Sequence, residues 1–148
     1  MKIKTARGFT LIELLITVSI IAILIAIGIA SYATVNKKSR DTKRKSDIEQ
    51  IRSALEMYRA QNGKYPAAGC AASTCPFVDV SALSTDLVST YLSAIPSDPQ
   101  KNAFYEYQPT GYSGGSYYGY CLSAELEAEI PTNTCTPDTN QNYGVKNP

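Results

Sequence analysis

Arg7-Gly8-Phe9-Thr10-Leu11-Ile12-Glu13 is the stretch on which the reading of the whole chain turns. A polar leader carrying Lys2, Lys4 and Arg7 ends at Gly8, and residues 14–36, 23 in all, then run without a single charge. Wound as a helix at about 1.5 Å per residue, that run reaches roughly 34 Å. A bilayer core is about 30 Å thick, so the run is long enough to cross one. Glu13 sits just inside the apolar segment, where an ionisable group is costly and points to a role beyond folding.

These residues resemble the N-terminus of type IV prepilins and of the related prepilins of type II secretion. The resemblance covers residues 7 to about 35: a basic leader, a Gly8-Phe9 junction, an acid four residues past the Phe and an unbroken apolar helix. It implies that a membrane peptidase cuts after Gly8, that the new N-terminal Phe9 is methylated, and that Glu13 serves assembly. Where many members of that family carry a proline midway along the helix, this chain has Gly28 and Ala30. A weaker likeness lies at Ile95-Pro96-Ser97-Asp98-Pro99 followed by Tyr105 and Tyr107, which resembles the turn before the first strand of major secretion pseudopilins. The usual Trp and Gly are replaced there by Gln100 and Lys101. Some of those proteins bind calcium through late acidic loops. Asp138 is the one acid after Glu129 here, too few oxygens for such a site.

The chain of 148 residues has room for a helix and one modest domain. Its net charge of +1 hides an asymmetry. Residues 37–45 hold six Lys or Arg against Asp41, whereas from residue 65 onward Lys101 and Lys146 oppose eight acids. Counting basic residues on either side of the apolar run would place the leader outside the cell. Cys70, Cys75, Cys121 and Cys135, with no histidine anywhere, instead suit an exported, disulfide-bonded domain, and that orientation is adopted. Three pairings of the cysteines are open. Cys70 with Cys75 and Cys121 with Cys135 is preferred because both close short loops. Zinc is the competing reading, but the spacings lack the two-residue knuckle of structural zinc.

Further along, Ile48, Ile51, Leu55 and Tyr58 recur at helical spacing and Asn62-Gly63 supplies a stop, so one helix is expected from Phe9 to about Asn62. Charged residues, Asp47 among them, are expected on its other faces. Residues 67–79 read as a Cys-bearing loop and 81–95 as a second helix capped by Ser81 or Ser84. Residues 103–108 and 116–127 read as strands around a turn at 111–115, the second with alternating Tyr118, Tyr120, Leu122, Ala124 and Leu126 on one buried face. Residues 131–148 read as an irregular tail held by Cys135.

Two readings of Glu13 stand side by side. Thr10-Leu11-Ile12-Glu13 fits a capping box that needs no function. After cleavage, however, Glu13 could neutralise a Phe9 ammonium, its own or a neighbour's, and so select one axial register among greasy helices. The assembly reading is favoured in view of the leader. The basic run is read as a solvated face pairing with acids of neighbouring subunits, with the phosphates of anionic lipid or DNA as the alternative. Eleven tyrosines are read as strand formers and core rather than as an adhesive or charge-carrying surface. An ordinary secretory signal cleaved near Ser31-Tyr32-Ala33 is disfavoured, because such apolar cores run about 7–15 residues. No His, Gly-x-Ser-x-Gly or phosphate loop offers a catalytic centre.

The expected architecture is α+β: a leader (1–8), a membrane-spanning and assembly helix (9–35), and the helix's second half with a globular head on a small antiparallel sheet (36–148). The resemblance implies a structural subunit of a helical homo-oligomeric filament, with no enzymatic activity, cofactor or metal. Its partners would be the prepilin peptidase, a membrane assembly platform and a DNA or surface ligand. It would wait in the membrane as a single-pass precursor and end in a filament on the bacterial cell surface. A secretion pseudopilin is the near alternative, and a membrane-tethered, non-polymerising binding or sensor module the distant one.

Overall fold

The computed structural model describes residues 8–128, 132–133, 135 and 142–147. The leader through residue 7 and Asp138 lie outside the described residues. The chain divides into two compact units, Met1–Asn36 and Lys37–Pro148. One α-helix, α1 (Leu11–Asn62), contributes to both.

In the first unit the described side chains of α1 are exposed on every side, Leu11, Ile16, Ile20 and Leu24 alike. The hydroxyls of Thr17, Ser19 and Ser31 donate back to the carbonyls of Leu14 (2.8 Å), Leu15 (2.7 Å) and Ile27 (3.4 Å). These three hydroxyls thereby find their partners within the helix, as a segment surrounded by hydrocarbon requires. The helix runs unbroken through Gly28. It is long and apolar enough to cross a membrane.

In the second unit α1 has one buried stripe: Ile48, Ile51, Ala54 and Leu55 are sealed from solvent and Tyr58 partly so. Gly63, at φ 72°, closes the helix by donating to the Arg59 carbonyl (2.7 Å), the left-handed stop that a residue without Cβ adopts most easily. The stripe packs on a five-stranded sheet of order β1-β2-β3-β5-β4. Its strands are β1 (Val78–Asp79), β2 (Glu106–Ser113), β3 (Ser116–Ala124), β4 (Thr132–Asn133) and β5 (Tyr143–Lys146). All neighbours pair antiparallel except β4 with β5, which is parallel.

Tyr105, Tyr107, Tyr120, Leu122 and Ala124 face the stripe, and Val80, Leu83 and Leu87 close one side. Tyr65, Tyr105, Tyr107 and Tyr120 are core, whereas Tyr32 and Tyr112 are exposed, and each of these four buried hydroxyls is satisfied as burial demands. Tyr105 donates to Asp47 (2.7 Å), Tyr107 to the Pro66 carbonyl (2.7 Å), and Tyr65 and Tyr120 both to Glu56 (2.9 and 3.1 Å). Asp47 is therefore buried beside Tyr105 rather than solvated. Both local disulfides are present, Cys70–Cys75 and Cys121–Cys135, so the thiols are not zinc ligands. Closing a loop of about 15 residues, as the second does, is worth roughly 3 kcal/mol in the chain-entropy account.

Several elements differ from the sequence reading. The second helix shrinks to a 3-10 turn (Val80–Leu83) and α2 (Ser84–Leu87). Asp79, not Ser81, caps the 3-10 turn by accepting from the Ser81 amide, and the run ends where Val88 turns extended, followed by Ser89 at φ 71°. The hairpin turn is Gly114-Gly115 alone, both at positive φ, so β2 extends through Pro109 to Ser113. Such a two-residue turn follows the right-handed twist of its strands. Gly111 lies within β2 at φ 65°, where a Cβ would come 3.3 Å from the Gly119 nitrogen. β3 ends at Ala124, three residues early, and its outer face is also covered: Gly119, Cys121 and Ser123 are buried. Tyr118, placed on the buried face by alternation, is 48% exposed. The tail holds β4 and β5 and is not pinned by Cys135 alone.

Ahead of Val78, no strand among the described residues pairs with the outer side of β2. The Val80 amide donates to Tyr105 (3.0 Å), so alternate residues 105, 107 and 109 turn their backbone groups outward there. The last of these is Pro109, which has no amide proton.

Leu55→Ala should cost about 2–5 kcal/mol of head stability. Met57→Ala, on the exposed side of the same helix, should change it by less than about 0.5 kcal/mol. Urea unfolding of the full chain in detergent, followed by the near-ultraviolet tyrosine signal, measures both.

Candidate functional site

At the junction, Gly8 is exposed with nothing within 4 Å of where a Cβ would stand, and Phe9 is 82% exposed. The capping box forms. The Thr10 amide and hydroxyl donate to one Glu13 carboxylate oxygen (3.2 and 2.9 Å), and the Glu13 amide donates to the Thr10 hydroxyl (3.3 Å). The carboxylate thus gathers donors at the start of α1, where the helix dipole also favours an anion. Thr10 and Glu13 come together; Phe9 makes no polar contact with Glu13 among the described bonds.

A second constellation lies inside the head. Arg44 is buried, and its guanidinium is shared among three carboxylates. Its Nε and Nη2 fork onto both oxygens of Asp98 (2.7 and 3.0 Å), while Nη1 donates to Asp41 (3.1 Å) and Glu127 (2.9 Å). Arg40, one turn earlier, also forks onto Glu127. Asp41 in turn accepts the amides of Glu127 (2.9 Å) and Ala128 (2.8 Å). Bidentate, charge-assisted bonds of this kind are short and directional.

The electrostatics follow the geometry. Hydrogen bonds from Arg40 hold the Glu127 carboxyl at about 2, below its ordinary 4.5; burial pushes the other way and Arg44 adds to the lowering. Arg44 is held charged above its ordinary range, chiefly by Asp98, and Arg40 by Glu127. Burial first, and donation to Asp47 second, push the Tyr105 phenol up. The basic run therefore is not wholly a solvated face turned to neighbours: its two arginines serve the chain's own head. Asp98, expected only as turn chemistry, keeps that role by accepting the Gln100 amide (2.8 Å) and adds the Arg44 fork. The cluster escaped the sequence reading although a signal was present. Asp41 and Arg44 continue the spacing of Ile48, Ile51, Leu55 and Tyr58 backward by four and three residues, in phase with the core.

Residues 3–29 match the family model of the prokaryotic N-terminal methylation motif, and residues 32–122 match that of type II secretion system protein G. The chain belongs to the type II secretion protein G family. The type II secretion system core protein G of Escherichia coli is 27% identical over 143 residues, covering 94% of this chain and 92% of that protein. The core protein G of Pectobacterium carotovorum is 34% identical over 61 residues, 41% of this chain and 39% of that protein. The type IV wide pilus major component of Thermus thermophilus is 40% identical over 62 residues, 42% of this chain and 47% of that protein. In the latter two the match spans less than half of the relative. No solved structure matches the chain. Protein G and pilin relatives are thus both present, and the family is one of structural subunits that assemble into filaments. The boundary of the protein G match at residue 122 lies within β3, so it takes in Arg40, Arg44 and Asp98 and leaves out Glu127 and β5.

Arg44→Met should destabilise the head by about 3–5 kcal/mol, because it strands buried carboxylates, and Arg44→Lys should not restore it, since a point charge cannot span the fork. Thermal unfolding of the full chain measures this. Glu127, whose pKa is depressed on folding, contributes stability present in full above about pH 4.5 and lost as the pH falls toward about 2. Unfolding midpoints across that interval should fall for the wild type and be flatter for Glu127→Gln.

Proposed function

We propose that this chain is a prepilin whose product is a structural subunit of a type IV pilus-like filament, with a type II secretion pseudopilus as the alternative filament. The observation that carries the reading is the combination of the exposed Gly8-Phe9 junction, Glu13 at the start of α1, and a helix apolar on all sides for its first half. Leader (1–8), assembly helix (9–35) and head-bearing remainder (36–148) are the working divisions. A prepilin peptidase cuts after Gly8, whose missing side chain leaves the bond accessible, and Phe9 becomes the methylated N-terminus. The subunit rests in the membrane with its disulfide-bonded head on the oxidising side. It is then drawn by an assembly platform into a homo-oligomeric fibre outside the cell, which is the surface available for DNA or other ligands. The subunit itself performs no catalysis.

Within the fibre Glu13 exchanges its Thr10 donors for the Phe9 ammonium of a neighbouring subunit. Burying either charge alone is strongly unfavourable, so the pair admits one register. The type II alternative is favoured specifically by the protein G match over residues 32–122, and the pilus by the Thermus relative.

Intact-mass measurement of the mature protein should give a chain starting at Phe9, 148 − 8 = 140 residues long, carrying one methyl group. A cut near Ala33, or none, would contradict the reading, and Gly8→Val should leave the precursor whole. Glu13→Leu should insert, be cleaved and fold its head, yet enter sheared fibres poorly. Loss of the cap alone, at most about 1–2 kcal/mol, would leave fibre yield unchanged.

A further inference from the structure

The structure sorts the basic run by residue type. Arg40 and Arg44 turn inward to Glu127, Asp98 and Asp41, while Lys37, Lys38 and Lys43 are exposed and have no carboxylate partner among the described contacts. Lys45 is half-buried, its ammonium over the Tyr143 ring at 5.5 Å. At 100° per residue the three exposed lysines stand about 100°, 140° and 120° apart around the helix axis, a nearly even ring. They begin at the first residue after the uncharged run 14–36. A neighbouring protein or a DNA groove would contact one side of a helix and would favour cations gathered on that side. A layer of headgroups surrounds a helix and is met by cations on all sides.

We propose that Lys37, Lys38 and Lys43 form a collar that binds the phosphates of anionic phospholipid where α1 leaves the bilayer. The headgroup region adds several ångströms beyond the hydrocarbon on each side, and lysine stems extend further still, so Lys43, about 10 Å along the axis from the end of the run, can bend back to the same layer. The collar rests on the membrane-inserted precursor of the proposed function. It adds a lipid preference and a hold that must be released when a subunit is drawn out.

Native mass spectrometry of the full chain in detergent, titrated with phosphatidylglycerol or phosphatidylcholine, tests the collar. Phosphatidylglycerol should be retained in preference, by a factor that falls about fivefold for each of the three lysines changed to Gln. The preference should also shrink as ionic strength rises. Lys64→Gln and Lys101→Gln, at exposed lysines elsewhere, should leave it unchanged, and the thermal midpoint of the triple variant should match the wild type. No preference in the wild type, or an undiminished one in the triple variant, overturns the proposal. So does lysine-dependent binding of a short DNA duplex without lipid preference. A chain that fails to float with vesicles of either lipid would instead defeat the membrane reading beneath it.

Discussion

A guanidinium surrounded by three carboxylates, all largely withdrawn from water, leaves the head little freedom in where it sits along α1. The apolar stripe Ile48, Ile51 and Leu55 could accept the sheet at more than one height, because dispersion and burial carry no direction. The fork of Arg44 onto Asp98 cannot slip by a turn without stranding charge. Asp41 extends the constraint to the main chain by holding the amides of Glu127 and Ala128, just past β3. The Pro96–Pro99 turn and the end of β3 are distant in sequence, and both are fastened to the same two turns of helix. Apolar burial supplies the driving force; the ionic cluster supplies the address.

What was legible in the sequence was what repeats or what stands alone. The stripe of α1 has a period, Gly63 is an isolated stop, Thr10 and Glu13 have capping-box spacing, and the cysteines have near partners in sequence. Where two signals competed, the reading failed. Three glycines in residues 111–115 offered more than one turn, and the register was settled by pairing with β3, which local sequence does not encode. Leu83, Leu87, Tyr91 and Ile95 keep helical spacing, yet the backbone leaves the helix at Val88. In β5, Tyr143 and Val145 alternate over only four residues, too few to outweigh the Asn- and Thr-rich surroundings. Arg44 runs against the ordinary equation of charge with solvent, because its partners lie more than fifty residues away in sequence at Asp98 and Glu127. At the start of α1 the capping box formed as its spacing required, and that geometry is compatible with either role of Glu13.

One helix carries two patterns, and the pattern changes at Lys37. Before it, hydroxyls bond back to the helix carbonyls and every face is apolar; after it, polar groups reach across to the sheet. The same backbone geometry is maintained by different means, internal satisfaction in one half and tertiary partners in the other.

Pro109 has a consequence for a chain from a family whose members assemble into filaments. An open strand edge is a template onto which another chain can add, and repetition of that event leads toward amyloid-like growth. At Pro109 the edge lacks a donor and is buried beside the Cys70–Cys75 loop, and the left-handed turn at Gly111 bends the next outward position away from a flat ladder. Two polymers are in principle open to a chain of this family, the ordered filament and a growth through sheet edges. The second is hindered twice at Pro109, by the missing donor and by the disulfide-closed loop beside it, so high local concentration can serve ordered assembly without feeding its rival.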